Sequence, residues 1–162
     1  MYFARLHAGA KIPAKRAEDA GYDVYACFDE PYIRIGAGET ALVPTGIASA
    51  FDSAWYIQLR ERGSLGAKGL AVRSGVIDSG FRGEWMVAMT NHSGRDLFIA
   101  DGLGSEALAA QACDVWVHST EKAICQAVLL PVPDAEIVEI SQEELAAIPS
   151  QRGEGMLGSS EK

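Results

Sequence analysis

The sequence predicts an all-β domain, a barrel or sandwich of antiparallel and mixed strands. Three observations carry this expectation. Short apolar runs recur at regular spacing between turn signals. The 162 residues include 17 glycines and 6 prolines, a turn-rich composition unlike that of a helical bundle. The apolar runs also do not alternate with helical segments as βαβ units require.

Taken in order, Tyr2 to Leu6 alternates, and Tyr22 to Phe28 is a strand stopped by the turn-rich Asp29-Glu30-Pro31. Tyr32 to Ile35 runs into Gly36-Ala37-Gly38, and Ala41 to Val43 stops at Pro44-Thr45-Gly46. Trp55 to Leu59 alternates, Val76-Ile77 is a β-branched apolar pair, and Trp85 to Thr90 is aromatic and apolar. Ile124 to Leu130 is a nearly continuous apolar run. Two segments read as helix. Gly104 to Ala112 holds strong helix formers behind a Ser105 cap, and Ser141-Gln142-Glu143-Glu144 resembles a capping box opening Glu143 to Ile148 before Pro149. From Ser150 the chain is rich in glycine and serine without an apolar pattern, the mark of a frayed tail. No internal repeat and no interdomain linker is visible. The expectation is a single β domain over 1–149 followed by a flexible tail over 150–162.

The formal charge of −8 argues against sequence-independent nucleic-acid binding, which needs a basic face. It does not exclude a small anionic substrate, because a few arginines in one cleft outweigh the global charge locally. Cys27, Cys113 and Cys125 are odd in number and widely spaced, which fits reduced core thiols better than a disulfide framework or a zinc site. His7, His92 and His118 have no metal-ligand spacing with one another or with the cysteines. No signal peptide and no apolar run of transmembrane length is visible, so a soluble cytoplasmic protein without membrane contact is expected.

Five segments could carry chemistry. Gly75-Val76-Ile77-Asp78-Ser79-Gly80-Phe81-Arg82-Gly83 sets a carboxylate between a strand and a glycine-punctuated turn, where a general base can be held rigidly and still face a cleft. By itself the segment reads sooner as a hairpin whose Asp merely starts the turn. Ala20 to Ala26 places Asp23 inside an aromatic strand; its other reading is an Asp that structures a strand end. Arg62-Gly63-Ser64-Leu65-Gly66-Ala67-Lys68-Gly69 is a glycine-rich loop offering N–H groups, a hydroxyl and cations to phosphate, though it lacks the Walker A ending. Lys122 to Gln126 puts a cation and an amide at the start of a buried strand, and Arg152 to Ser160 is a second Arg/Gly/Ser loop.

In order and combination these segments resemble the five motifs of the trimeric dUTP pyrophosphatases (dUTPases), in a divergent form similar to a bacterial and phage branch. Ala20–Ala26, Arg62–Gly69, Gly75–Gly83, Lys122–Val128 and Arg152–Ser160 stand in place of motifs one to five, and Gly38 to Gly46 is similar to a connecting stretch of the family. The resemblance implies a dUTPase-like, jelly-roll-like β-barrel with a short helix and a tail that completes a neighbouring active site. It implies hydrolysis of dUTP to dUMP and pyrophosphate, with Asp78 activating water for attack on the α-phosphorus. Phe81 would pack under the deoxyribose, and main-chain groups from Gly75, Val76 and Ile77 through Met86 would read uracil. Arg62, Gly63, Ser64, Gln126 and Arg152 would hold the phosphates. Gly155, Leu157 and Ser159 would close over the site, and Asp23 would contact a Mg²⁺ ion through water. A homotrimer is also implied, with each site assembled between subunits.

The chain departs from the family pattern at several points. Gly63 replaces a serine of the second motif, Gly80 a second Asp, Lys122 an Arg, and Leu157 a Phe, while Leu103 to Val117 reads as an insertion, a surface helix or else a trimer contact. Two alternatives share the scaffold: a dCTP deaminase-related enzyme and a non-catalytic nucleotide-binding or regulatory protein. A deaminase needs a glutamate in the strand after the third motif, where this chain has Ala88.

Overall fold

The computed structural model describes residues 1–102 and 115–155. The chain divides into two compact units, Met1–Val132 and Pro133–Lys162. Among its described residues from Tyr2 to Ala100 and Trp116 to Pro131, the first unit is all-β apart from the helical turn after β6. Its strands are β1 (Tyr2–Arg5), β2 (Gly21–Val24), β3 (Tyr32–Ile35), β4 (Thr40–Pro44), β5 (Ile47–Ala50) and β6 (Trp55–Arg60). After α1 (Gly63–Gly66) come β7 (Leu70–Val72), β8 (Val76–Ile77), β9 (Met86–Asn91), β10 (Leu97–Ala100), β11 (Trp116–Ser119) and β12 (Cys125–Pro131).

The strands pair as four open sheets, ordered β1-β5, β11-β10-β3, β2-β12-β6-β8 and β4-β9-β7. The expected all-β class holds, but among the described residues no ring of hydrogen bonds closes a barrel. Pairing is mixed, as expected: β10 and β11 are parallel, and the other strand pairs are antiparallel.

The sequence periods explain the layers. In β6, Ile57 and Leu59 point inward, and opposite them on β12 stand Leu129 and Ala127. In β9, Val87 and Met89 do the same. Their side chains join Ile35, Val43, Leu97, Ile99 and Ile124 in one core around Trp85, which is fully buried. Trp85 is also polar-anchored: its N–H bonds Ile47 O at 2.9 Å, its carbonyl accepts from Thr45 Oγ1 at 2.6 Å, and its Nε1–H reaches Ser49 Oγ at 3.1 Å. The Phe3 ring meets it edge-on at 5.3 Å, tying the β1-β5 ribbon to the core. Buried Asn91 is fully satisfied, donating to Ile35 O and Arg95 O and accepting from Ser93.

Several elements differ from the sequence expectation. Strands β5, β7 and β10 were not expected, and Trp116 and Val117, assigned to an insertion, open β11 beside β10. The glycine-rich loop at Arg62 contains the helical turn α1, because Leu65 is apolar and buries there. The helix expected over Gly104 to Ala112 lies outside the described residues. In the second unit, α2 (Gln142–Ala147) carries the full capping box: Ser141 Oγ accepts from Glu144 N, and the Glu144 carboxylate accepts from Ser141 N at 2.8 Å.

Trp85→Phe should lower stability by about 2 kcal/mol, since it orphans Ser49 Oγ and leaves a void. A urea midpoint equal to that of the wild type would show that this anchor is dispensable.

Candidate active site

Residues from three strands and one turn meet at one corner of the β2-β12-β6-β8 sheet. Gln126 on β12 lies in register between Asp23 on β2 and Arg60 on β6. Two residues beyond Arg60, Arg62 begins the α1 turn, its carbonyl accepting from Leu65 N and Gly66 N at 2.9 Å. Its guanidinium lies 3.3 Å from Asp23 Oδ1 and 3.3 Å from Ala123 O. Buried Leu65 pins the turn, so Gly63 and Ser64 stay exposed, and their N–H groups bond no other described residue. The Gln126 amide is likewise unbonded among the described residues. This corner offers a cation, an amide, a hydroxyl and free N–H groups, the donor set an oligophosphate needs.

A second group lies on the connection from β8 to β9, two strands of different sheets, where the sequence had suggested a hairpin. Gly75 enters it at φ +68°, a left-handed conformation natural to glycine, and its carbonyl accepts from Leu59 N at 3.1 Å. Ile77 is buried, so Asp78 emerges at the surface. The Asp78 carboxylate has no side-chain hydrogen bond or ion pair among the described residues. Its backbone carbonyl accepts from Phe81 N at 3.1 Å, closing the turn. The Phe81 ring, 43% exposed, lies over Gly83, where an added Cβ would stand 2.6 Å from ring Cζ. Met86 is half-buried and pairs with Pro44.

The two groups are not adjacent in one chain. Asp78 follows Ile77, the partner of Ile57, whereas Gln126 pairs with Arg60. At about 3.3 Å per residue and about 4.8 Å per strand, their Cα atoms lie about 13 Å apart along β6 and about 10 Å apart across it. In the second unit, Arg152 Nε bonds the Gly155 carbonyl at 3.0 Å, and Ser150 Oγ accepts from Arg152 N and Gly153 N. Leu157 and Ser159 lie outside the described residues. A dUTPase family model matches residues 8–103.

The chain belongs to the dUTPase family.

The deoxyuridine 5′-triphosphate nucleotidohydrolase of Nautilia profundicola is 34% identical over 162 residues, covering 98% of this chain and 96% of the relative. In fold, the chain is similar to the Staphylococcus bacteriophage 80alpha dUTPase solved with dUpNHpp, with a TM-score of 0.75 and 21% identity over 99% of this chain and 98% of that one. It is also similar to a mutant dUTPase of phage phi11 of S. aureus, which coordinates a structural Mg(II) ion, with a TM-score of 0.67 and 18% identity over 88% of this chain and 97% of that one. Family membership points to Mg²⁺. Among the described residues, however, no group of three or more His, Cys, Asp or Glu side chains could hold a metal. No described helix is long and apolar enough to cross a membrane.

Three supporting residues of this dUTPase chain escaped the sequence reading. Glu84 Oε1 accepts from Thr45 N at 3.2 Å and Gly46 N at 2.7 Å, tying the segment before β9 to the β4-β5 link. Glu61 accepts from Val72 N at 3.0 Å, a bond that holds its carboxyl below the usual range. Ser74 Oγ accepts from Ala88 N at 2.7 Å, continuing the β7-β9 pairing up to Gly75. Ser74 sits directly before the third motif, and that adjacency was the available signal. The two glutamates carry none, because their partners are backbone groups distant in sequence.

Gly83→Ala should force the Phe81 ring out of its place, since the new methyl would occupy the ring's position. A structure of the variant with Phe81 unmoved would contradict this packing.

Proposed function

We propose that this dUTPase hydrolyses dUTP to dUMP and pyrophosphate with Asp78 as the general base. The observation that carries the assignment is the Asp78 carboxylate, exposed on the turn closed by Phe81 N and without a side-chain partner among the described residues. A carboxylate so placed accepts a proton from water as the water oxygen attacks the α-phosphorus, and the bond to the bridging oxygen breaks to release pyrophosphate. Arg62, Gly63, Ser64 and Gln126 hold the phosphates and balance the charge that develops on them. Phe81 lies under the deoxyribose and excludes a 2′-hydroxyl, while backbone groups from Gly75, Val76 and Ile77 to Met86 read the base.

Asp23 lies in the phosphate corner, beside Arg62. That donor set fits a Mg²⁺ ion held by phosphate oxygens and water, with Asp23 ordering the water shell. Bound there, the ion would supply charge neutralisation across the triphosphate.

The wide separation of Asp78 from Gln126 in one chain supports sites shared between copies, as in a homotrimer. The phosphate corner would come from one copy and the Asp78 turn from the next. Arg152, Gly155, Leu157 and Ser159 would come from a tail that closes over the nucleotide and excludes bulk water. Ile137, Val138, Leu145 and Ile148, all exposed, offer this segment apolar side chains for such docking.

Pyrophosphate release from dUTP, dCTP, dTTP and UTP at one Mg²⁺ concentration tests the reading, with dUTP the expected substrate; ammonia release from dCTP would indicate a deaminase instead. Asp78→Asn should keep analogue binding and lose at least about 100-fold in kcat; wild-type turnover would remove Asp78 from the mechanism. Deleting residues 152–162 should leave a folded oligomer with most of its turnover lost. Unchanged kcat would dismiss the tail from catalysis.

A further inference from the structure

A nucleophile, a base and an acid also meet well away in sequence from the five motifs' phosphate and base residues. Leu6 N bonds Gly46 O at 2.7 Å and Cys27 N bonds Pro44 O at 2.9 Å, so the segments after β1 and β2 are both fastened to the β4-β5 link. This brings Cys27 Sγ to 3.1 Å from His7 Nδ1, and His7 Nε2 to 2.7 Å from Asp29 Oδ1. Gly9 N–H donates to the same Nδ1 at 3.1 Å. That bond assigns the tautomer: Nδ1 carries the lone pair facing the thiol, and the Nε2 proton is aimed at the Asp29 carboxylate. A base held by a third group beside a nucleophile is the general arrangement for activating one.

The constellation opens on a cleft of about 310 Å³ whose lining includes His7, Cys27, Asp29, Glu30, Lys11 and Glu121. Cys27 is only partly buried and, among the described residues, is unpaired with another cysteine. The one cation of this group, Lys11, is held by Glu121 at 2.6 Å and lies over the Tyr25 ring. Asp29 and Glu30 are exposed on the rim, so the entrance favours positive charge. Burial, Asp29 and Glu84 push the Cys27 thiol up, so it rests as S–H.

We propose that Cys27, His7 and Asp29 form a thiol-modification site for small disulfides bearing a protonated amine. The Cys27 S–H proton passes to His7 Nδ1 as Sγ attacks one sulfur of the disulfide, and the hydrogen bond from Gly9 N–H to that nitrogen breaks as it is protonated. A new S–S bond forms, the old one breaks, and the departing thiolate takes the proton from His7 and leaves as a thiol. The disulfide is the oxidant, and the mixed disulfide on Cys27 is the product.

The test treats the full-length protein with cystamine or with oxidised glutathione at equal concentration and low salt. Adduct formation on the Cys27 peptide is followed by mass spectrometry, and rates are normalised to those of the guanidinium-unfolded chain. Cystamine should modify folded Cys27 about 10-fold faster than oxidised glutathione, an advantage that shrinks with added salt. His7→Gln should slow the cystamine reaction about 100-fold, and Asp29→Asn should remove most of the preference for the cation. Buried Cys125, its thiol pushed up to about 12, serves as the unreactive reference. Equal normalised rates for the two disulfides, or a His7→Gln variant as fast as wild type, would overturn the proposal. Should His7→Gln fail to fold, the charge comparison and Asp29→Asn decide it.

Discussion

Strand β6 is bonded on both sides, to β12 over Trp55–Arg60 and to β8 at Ile57 and Gln58. Both groups of candidate site residues take their positions from it. Side chains alternate along a strand, so a one-residue slip of β12 against β6 would turn Gln126 inward and put Cys125 and Ala127 on the surface. The same slip of β8 would turn buried Ile77 outward and carry Asp78 into the core. The burial of Ile57 and Leu59 opposes both slips, and this apolar register holds a carboxylate and an amide at opposite ends of one surface.

Several described carboxylates are committed to the fold. Glu61, Glu84 and Glu144 accept from backbone N–H groups, and Arg34 binds Asp96 at 2.7 Å. Their lone pairs are committed to loops, caps and turns, and for Glu61, Asp96 and Glu144 the bonds depress basicity. Asp78 has no such commitment. The contrast separates it from acids that shape the fold, in a chain whose formal charge is −8 and whose acids are mostly on the surface.

The strands with clear alternation or a long apolar run, β6, β9 and β12, were legible in the sequence, as was the capping box at Ser141. Other elements were hidden for physical reasons. Ile47-Ala48-Ser49 of β5 is buried on both faces and so lacks alternation, and β7 is only Leu70–Val72. Strand β11 lies beside β10 through parallel pairing, which leaves no hairpin signal between them. The candidate site was legible where its residues form a local combination in sequence, as around Asp78 and Arg62. It was not legible where the fold makes the combination: His7 and Cys27 are 20 residues apart and meet through backbone bonds to Pro44 and Gly46. Cys27, expected as a core thiol, is consequently half-exposed on a cleft.

The Phe81 ring rests on Gly83 in the free chain. A side chain wedged against its own backbone has few rotamers left, so a sugar that docks on it removes little further freedom from the protein. The glycine thereby turns a flexible surface aromatic into a stiff floor. On the proposed reading of Phe81, selectivity against a larger sugar would rest on how firmly the ring is held over Gly83 as well as on its shape.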